Sequence, residues 1–183
     1  MQKVINDLGR IDSVFANAGI NVFGGSFENM DTDAYRKVLS VNLDGVFFTF
    51  REATKHMVDR AKLGDAGGSV IGVASLAGIE GAAKTQPYSA SKGGIISMIK
   101  GIAVEHARYG IRANTILPGW IATDMTMPNQ KNQKFTDKVI TRVPARRWGE
   151  PEDFSGIAVY LASDSSAYHS GDMFVVDGGY AVF

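Results

Sequence analysis

"SVIGVAS", residues 69–75, is a short apolar run bounded by Gly67-Gly68 before it and a Gly/Ala-rich stretch after it. A run of this length between breakers reads as a buried strand. The Gly/Ala-rich loop extends to Gln86, and a helix is expected from about Pro87 to Tyr109, with Pro87 in its first turn and Gly110 past its end. Strand, loop and helix in that order form one half of a parallel crossover. Outward from this unit the alternation repeats. "IDSVFANAG" (11–19) is a buried strand preceded by the last turns of a helix at 2–9, with Val4, Ile5 and Leu8 on one face and Gly9 as its stop. After a loop ("GGSFENMD", 24–31), a helix is expected from Thr32 to about Arg60, its buried face marked by Tyr35, Val38, Val41, Phe47, Phe48 and Met57. "IRANTILPG" (111–119) is a third strand, 120–149 is irregular with one short helix near 131–141, 150–163 is helical with acidic residues in its first turn, and "DMFVVDGG" (172–179) is the last strand. The alternation argues for an α/β fold, a doubly wound parallel sheet with helices on both faces, in a single domain over 1–183. The irregular 120–149 segment is long enough to expect a lid or binding role.

Composition excludes several functions. Nineteen basic and nineteen acidic residues balance to zero and are scattered, which leaves no nucleic-acid footprint or polybasic patch. Absence of cysteine removes disulfides, thiolate metal sites and thiol nucleophiles. His56, His106 and His169 show no ligand spacing, so no metal site is expected. No run approaches a membrane span and "MQKVINDLGR" has no signal-peptide core, so the expectation is a soluble, cytoplasmic protein.

"QPYSASKGG" (86–94) sets Tyr88 four residues before Lys92 at the start of the expected helix. Residues i and i+4 share a helix face. A free tyrosine titrates at about 10, and a nearby ammonium favours the phenolate, so the pair can supply a general acid/base near neutrality. With six tyrosines in the chain, the spacing alone arises by chance often enough to carry little weight. Its setting adds weight: Ser75 ends a strand at the carboxyl edge of the sheet, where open α/β sheets bind ligands. No Gly-x-Ser-x-Gly elbow surrounds Ser75, which argues against a hydrolase nucleophile. Gly93, Gly94 and Gly101 inside the helix each cost about 1 kcal/mol against alanine and imply close approach of a cofactor, the sheet or a second copy of the helix.

Taken together, these motifs resemble the short-chain dehydrogenase/reductase family. "ANAG" (16–19), "VNLDGVF" (41–47), Ser75 thirteen residues before Tyr88, "YSASKGG", "RANTILPGWIATDM" (112–125) and "VVDGGY" match its motifs in order. The resemblance implies an NAD- or NADP-dependent oxidoreductase that interconverts a ketone and a secondary alcohol. It implies catalytic roles for Asn42 (a water-anchoring asparagine), Ser75 (hydrogen bonding to the substrate oxygen), Tyr88 (proton donor and acceptor) and Lys92 (lowering the Tyr88 pKa and binding the nicotinamide ribose). Pro118, Gly119, Ile121 and Thr123 would hold the nicotinamide, and Asn17, Ala18 and Gly19 the adenosine-ribose side. Taken singly, Asn42 also reads as a helix-bend residue, Thr123 as an N-cap and Asn17 as a tie between strands. Trp120, Met125, Met127 and the 126–142 loop would border a small-molecule carbonyl or alcohol substrate. The family pairs helices corresponding to 32–60 and 87–109, and the 150–179 region, across two-fold axes, so a homo-oligomer, dimer or tetramer, is expected.

One motif of the family has no counterpart. A Thr-Gly-x-x-x-Gly-x-Gly turn, which brings backbone N–H groups onto the cofactor pyrophosphate, is absent; the glycine pairs at 24–25, 67–68 and 93–94 have neither its spacing nor its setting. The expectation is a Rossmann-like sheet truncated at its N-terminal side, strands 4–7 of seven, with the choice between NAD and NADP unreadable and "SVFANAG" left as an apolar edge. A fragment, a misplaced start and a true short form all fit that expectation. So does a second function, a non-catalytic scaffold that keeps the oligomer surfaces but not dinucleotide binding. A dehydratase or epimerase on the same fold is a weaker third.

Overall fold

Four short strands meet side by side in a computed structural model that describes residues 1–22 and 25–183. They are β1 (Ser13–Ala16), β2 (Gly68–Val73), β3 (Ile111–Pro118) and β4 (Met173–Val176), all parallel and in chain order. The register runs Ser13 beside Ser69 beside Arg112, and Thr115 beside Met173. Each crossover is helical, as parallel pairing requires. α1 (Gln2–Leu8) leads into β1, and α2 (Thr32–Leu39) and α3 (Gly45–Lys62) join β1 to β2. α4 (Gln86–His106) joins β2 to β3; α5 (Met127–Gln130), α6 (Gln133–Arg142) and α7 (Ser155–Ala162) lie between β3 and β4. The irregular 120–149 segment thus holds two helices where the sequence suggests one. Gly24, the start of the expected 24–31 loop, lies outside the described residues; Phe27–Asn29 form a single 3-10 turn.

The two faces of the sheet carry separate cores. On one, Val70, Ala113 and Leu117 pack with Phe50 and Met57 of α3 and Ile95 and Ile99 of α4. On the other, Ile71 and Ile116 pack with Leu161 of α7 and partly buried Phe154, Ile157 and Phe174. Period-two alternation along β2 and β3 sends neighbouring residues to opposite cores.

Two sequence expectations about buried faces need correction. Val4 and Leu8 of α1 are exposed, with only Ile5 packed on the core. In the 32–62 segment, Tyr35, Phe47 and Phe48 are exposed while Val38, Val46, Phe50, Ala53 and Met57 are buried. Tyr35 lies before the π-helical turn at Ser40–Asp44 that separates α2 from α3, and Phe47 and Phe48 lie after it. One extra residue in that turn advances the helix phase by about 100°, which puts Phe47 and Phe48 off the buried face. Gly94 explains how the turn packs: a Cβ there would sit 2.9 Å from Leu43 Cδ1.

Candidate active site

In a parallel sheet all carboxyl ends share one edge, and the chemistry-bearing residues gather there. Asn17–Gly19 leave β1, Ser75 leaves β2, and Pro118–Gly119 leave β3. The N-terminal turn of α4 brings Tyr88 and Lys92 to the same edge.

Two cavities meet on this edge. One, of about 460 Å³, is lined by Asn17, Gly19, Lys92, Pro118, Gly119, Ile121 and Thr123 among others. The second, of about 510 Å³, runs toward Trp120, Phe135 and Tyr180. Ser75 and Tyr88 line both. A ligand in either cavity therefore faces the same pair of hydroxyls.

Ser75 is extended (φ −173°, ψ 159°) and caps the 3-10 turn Leu76–Gly78, its Oγ accepting from Ala77 N at 3.2 Å. Its hydroxyl proton remains available to donate. Gly78 in that turn packs backbone to backbone on α4; a Cβ there would come within 2.9 Å of the Lys92 carbonyl carbon and 3.0 Å of Gly93 N. This contact sets Ser75 against Tyr88.

Burial pushes the Tyr88 phenol up from its ordinary value, and the Ser75 hydroxyl beside it works in the opposite direction. The Lys92 ammonium donates to the Val73 carbonyl at 2.7 Å and stands 5.5 Å from the Tyr88 ring centroid. Burial brings its pKa down to about 8. In this structure the phenol feels burial first and Ser75 second, where the sequence reading looks to Lys92 for its tuning.

Asn42 sits in the π-turn, fully buried, and lines neither cavity. Its Oδ1 accepts from Ile20 N at 2.8 Å, and its Nδ2 donates to Ile20 O at 2.9 Å and Ser91 Oγ at 3.1 Å. Every polar function of the side chain is therefore used in tying the segment after β1 to α4. Gly19 is held close by this tie: a Cβ there would lie 3.4 Å from Lys92 Nζ and 3.5 Å from Asn42 Oδ1. Ala18 is exposed and is not part of either cavity wall.

The structure gives Thr126, the first residue of the expected 126–142 border, a defined role, and adds Pro151 and Phe154, which the sequence reading does not include. Thr126 lines both cavities, and its Oγ1 donates to Ile121 O at 2.6 Å and accepts from Thr123 N at 3.1 Å, so it shapes the loop that carries Ile121 and Thr123. Pro151 and Phe154 close the first cavity from the 3-10 turn Pro151–Phe154 that precedes α7. Asp153 anchors that turn by accepting from Glu150 N at 2.8 Å and from the Arg147 guanidinium at 2.7 Å on each oxygen, which holds its carboxyl down at about 2. Local pattern marks 150–163 as a helix but carries no signal that its first turn faces β1 and β3. Among the described residues no cluster of His, Asp and Glu could hold a metal ion.

A serine, a tyrosine and a lysine thus converge where two cavities meet at the carboxyl edge of a parallel sheet. In comparison with known proteins, a family model described as enoyl-(acyl carrier protein) reductase matches residues 1–181. The chain belongs to this family, the short-chain dehydrogenases/reductases. It is 36% identical over 175 residues to an L-rhamnose 1-dehydrogenase (NAD(P)(+)) of Azotobacter vinelandii, covering 96% of this chain and 66% of that protein. It is 35% identical over 182 residues to a 5-keto-D-gluconate 5-reductase of Escherichia coli strain K12, covering 100% and 69%. Among solved structures, a gluconate 5-dehydrogenase from Burkholderia cenocepacia J2315 in complex with NADP and tartrate superposes with a TM-score of 0.93 at 31% identity, covering 100% of this chain and 69% of that one. The chain thus spans about two thirds of the length of the relatives it matches.

Proposed function

We propose that this chain carries the proton-transfer and nicotinamide-binding portion of an NAD(P)-dependent oxidoreductase that interconverts a carbonyl and a secondary alcohol. The observation that carries the reading is that Ser75 and Tyr88 line the wall common to both cavities, with Lys92 on one side of it. The first cavity is the cofactor side. Its lining fits a nicotinamide ribose: Gly19 has no Cβ to fill the space beside the Lys92 ammonium, and Ile121 and Thr123 face it from the opposite loop. The bound cofactor supplies or takes up the hydride. The second cavity is the substrate side.

In the reductive direction Ser75 donates its free hydroxyl proton as a hydrogen bond to the carbonyl oxygen, and Tyr88 transfers its own proton to that oxygen. In the oxidative direction Tyr88 accepts the alcohol proton. Lys92, once turned from the Val73 carbonyl toward the ribose hydroxyls, favours the phenolate. Asn42 acts through its backbone, since its side chain is committed to Ile20 and Ser91. The relatives that act on rhamnose, ketogluconate and gluconate support a sugar-like substrate for the whole protein, and their NAD(P) dependence and bound NADP support either nicotinamide cofactor. Exposed Phe47 and Phe48 on α3 and Val104 on α4 support a homo-oligomer formed through these helices.

The test is Tyr88→Phe in the enzyme with its complete cofactor-binding half. Turnover is expected to fall by at least about a thousandfold, with cofactor affinity within about twofold of the parent. Turnover close to the parent's would refute the assignment.

A further inference from the structure

We propose that Glu80 selects an uncharged polyol, accepting hydrogen bonds from neighbouring hydroxyls in the second cavity. The proposal rests on the reading of that cavity as the substrate side. Among the described residues, the charged side chains that line it are Glu80 and Lys84. Glu80 is half-buried, and among the described residues its carboxylate has neither a hydrogen bond nor an ion pair. Lys84 is exposed, sits in the left-handed region at φ 66°, and is not paired with Glu80. Its oxygens are open to solvent, so hydroxyls of a bound ligand can take the place of the water that serves them.

A second acceptor in the cavity lining is shut off from water as well as unpartnered. Asn21 Oδ1 is buried without a partner and Asn21 lines the cavity. Unpartnered acceptors call for a ligand rich in donors, and the two oxygens of a carboxylate span the spacing of adjacent hydroxyls on a carbon chain. Trp120, also in the lining, packs edge to face with Phe135 at 5.2 Å and Tyr180 at 6.4 Å between centroids. That aromatic surface suits the C–H face of a sugar or polyol. A substrate carboxylate would meet the Glu80 charge in the half-buried wall, while the exposed Lys84 ammonium is screened by solvent and does not cancel it. The cavity thus discriminates against aldonates and against simple apolar alcohols.

The chain has two tryptophans, Trp120 in the cavity wall and Trp148 edge-on against it with centroids 5.9 Å apart. Intrinsic fluorescence therefore reports occupancy of this cavity without turnover or cofactor. Titrations of this chain with D-sorbitol, L-rhamnose, D-gluconate and cyclohexanol are expected to show saturable binding of at least one uncharged polyol. That binding should be at least about tenfold tighter than for gluconate or cyclohexanol. Glu80→Gln is expected to weaken the polyol by about tenfold and to remove the discrimination against gluconate. Gluconate binding as tightly as the polyols, polyol affinity unchanged in Glu80→Gln, or no polyol binding at all would each overturn the proposal. The comparison of ligands on the parent chain stands even if the variant folds poorly. A Tyr88→Phe enzyme that still turns over would refute the oxidoreductase reading and leave this titration untouched.

Discussion

Lys92 is 3% exposed, and the partner it reaches is the Val73 carbonyl rather than a carboxylate. A buried ammonium with a neutral partner is destabilising in its charged form, which is why its pKa falls from 10.5 to about 8. The folded state therefore gives up this proton at lower pH than the unfolded chain does. The cost is fully present below pH 8 and is relieved as pH rises from about 8 to 10.5. Measured by urea unfolding, the parent is expected to gain about 3 kcal/mol on Lys92→Met across that window. A difference between the two that stays flat with pH would refute it. Tyr88 and Lys92 were legible in the sequence because a four-residue spacing survives wherever the helix goes. The Val73 bond was not, since it depends on how deeply α4 sits on β2.

At the scale of elements, the glycines of α4 and of the turn before it divide by what surrounds them. Gly78 meets α4 backbone, which cannot move aside, whereas nothing lies within 4 Å of the Cβ that Gly101 lacks. Gly78→Ala is expected to lower stability by about 2 kcal/mol through forced separation of the turn from α4. It should also impair the site, because the same contact sets Ser75 against Tyr88. Gly101→Ala is expected to raise the stability of the isolated chain by about 0.5–1 kcal/mol. Paired thermal melts that show both variants moving in the same direction would contradict this. The sequence marked Gly101 as unusual and gave no signal at Gly78, and the packing reverses that emphasis. The same limit appears in the 32–62 segment. Its helical character was evident, but a π-turn is one inserted residue with no propensity of its own. The phase of Phe47 and Phe48 was therefore wrong from the sequence and is set by the tie from Asn42 to Ile20 and Ser91.

Across the whole molecule, β1 pairs with β2 on one side only among the described strands, and Phe15 on it is 38% exposed and lines the first cavity. The sequence also lacks the glycine-rich turn that would place backbone N–H groups on a pyrophosphate. This chain by itself is therefore expected to bind NAD and NADP no tighter than about millimolar by calorimetry. Low-micromolar binding would show that the residues here suffice.

Order and spacing, which are properties of the chain alone, carried the alternating α/β plan and the parallel sheet, and put forward Ser75, Tyr88 and Lys92 as candidates. Those features follow from local periodicity and from breakers such as Pro118-Gly119, which act wherever the segment lies. Tertiary structure decided what depends on contacts between segments distant in sequence. It alone joined Pro151 and Phe154 to the site, committed the Asn42 side chain, and left the Asn21 amide oxygen buried without a donor in the cavity lining. Hydrogen-bond satisfaction and burial are properties of pairs brought together by the fold, and no single stretch of sequence encodes its partner.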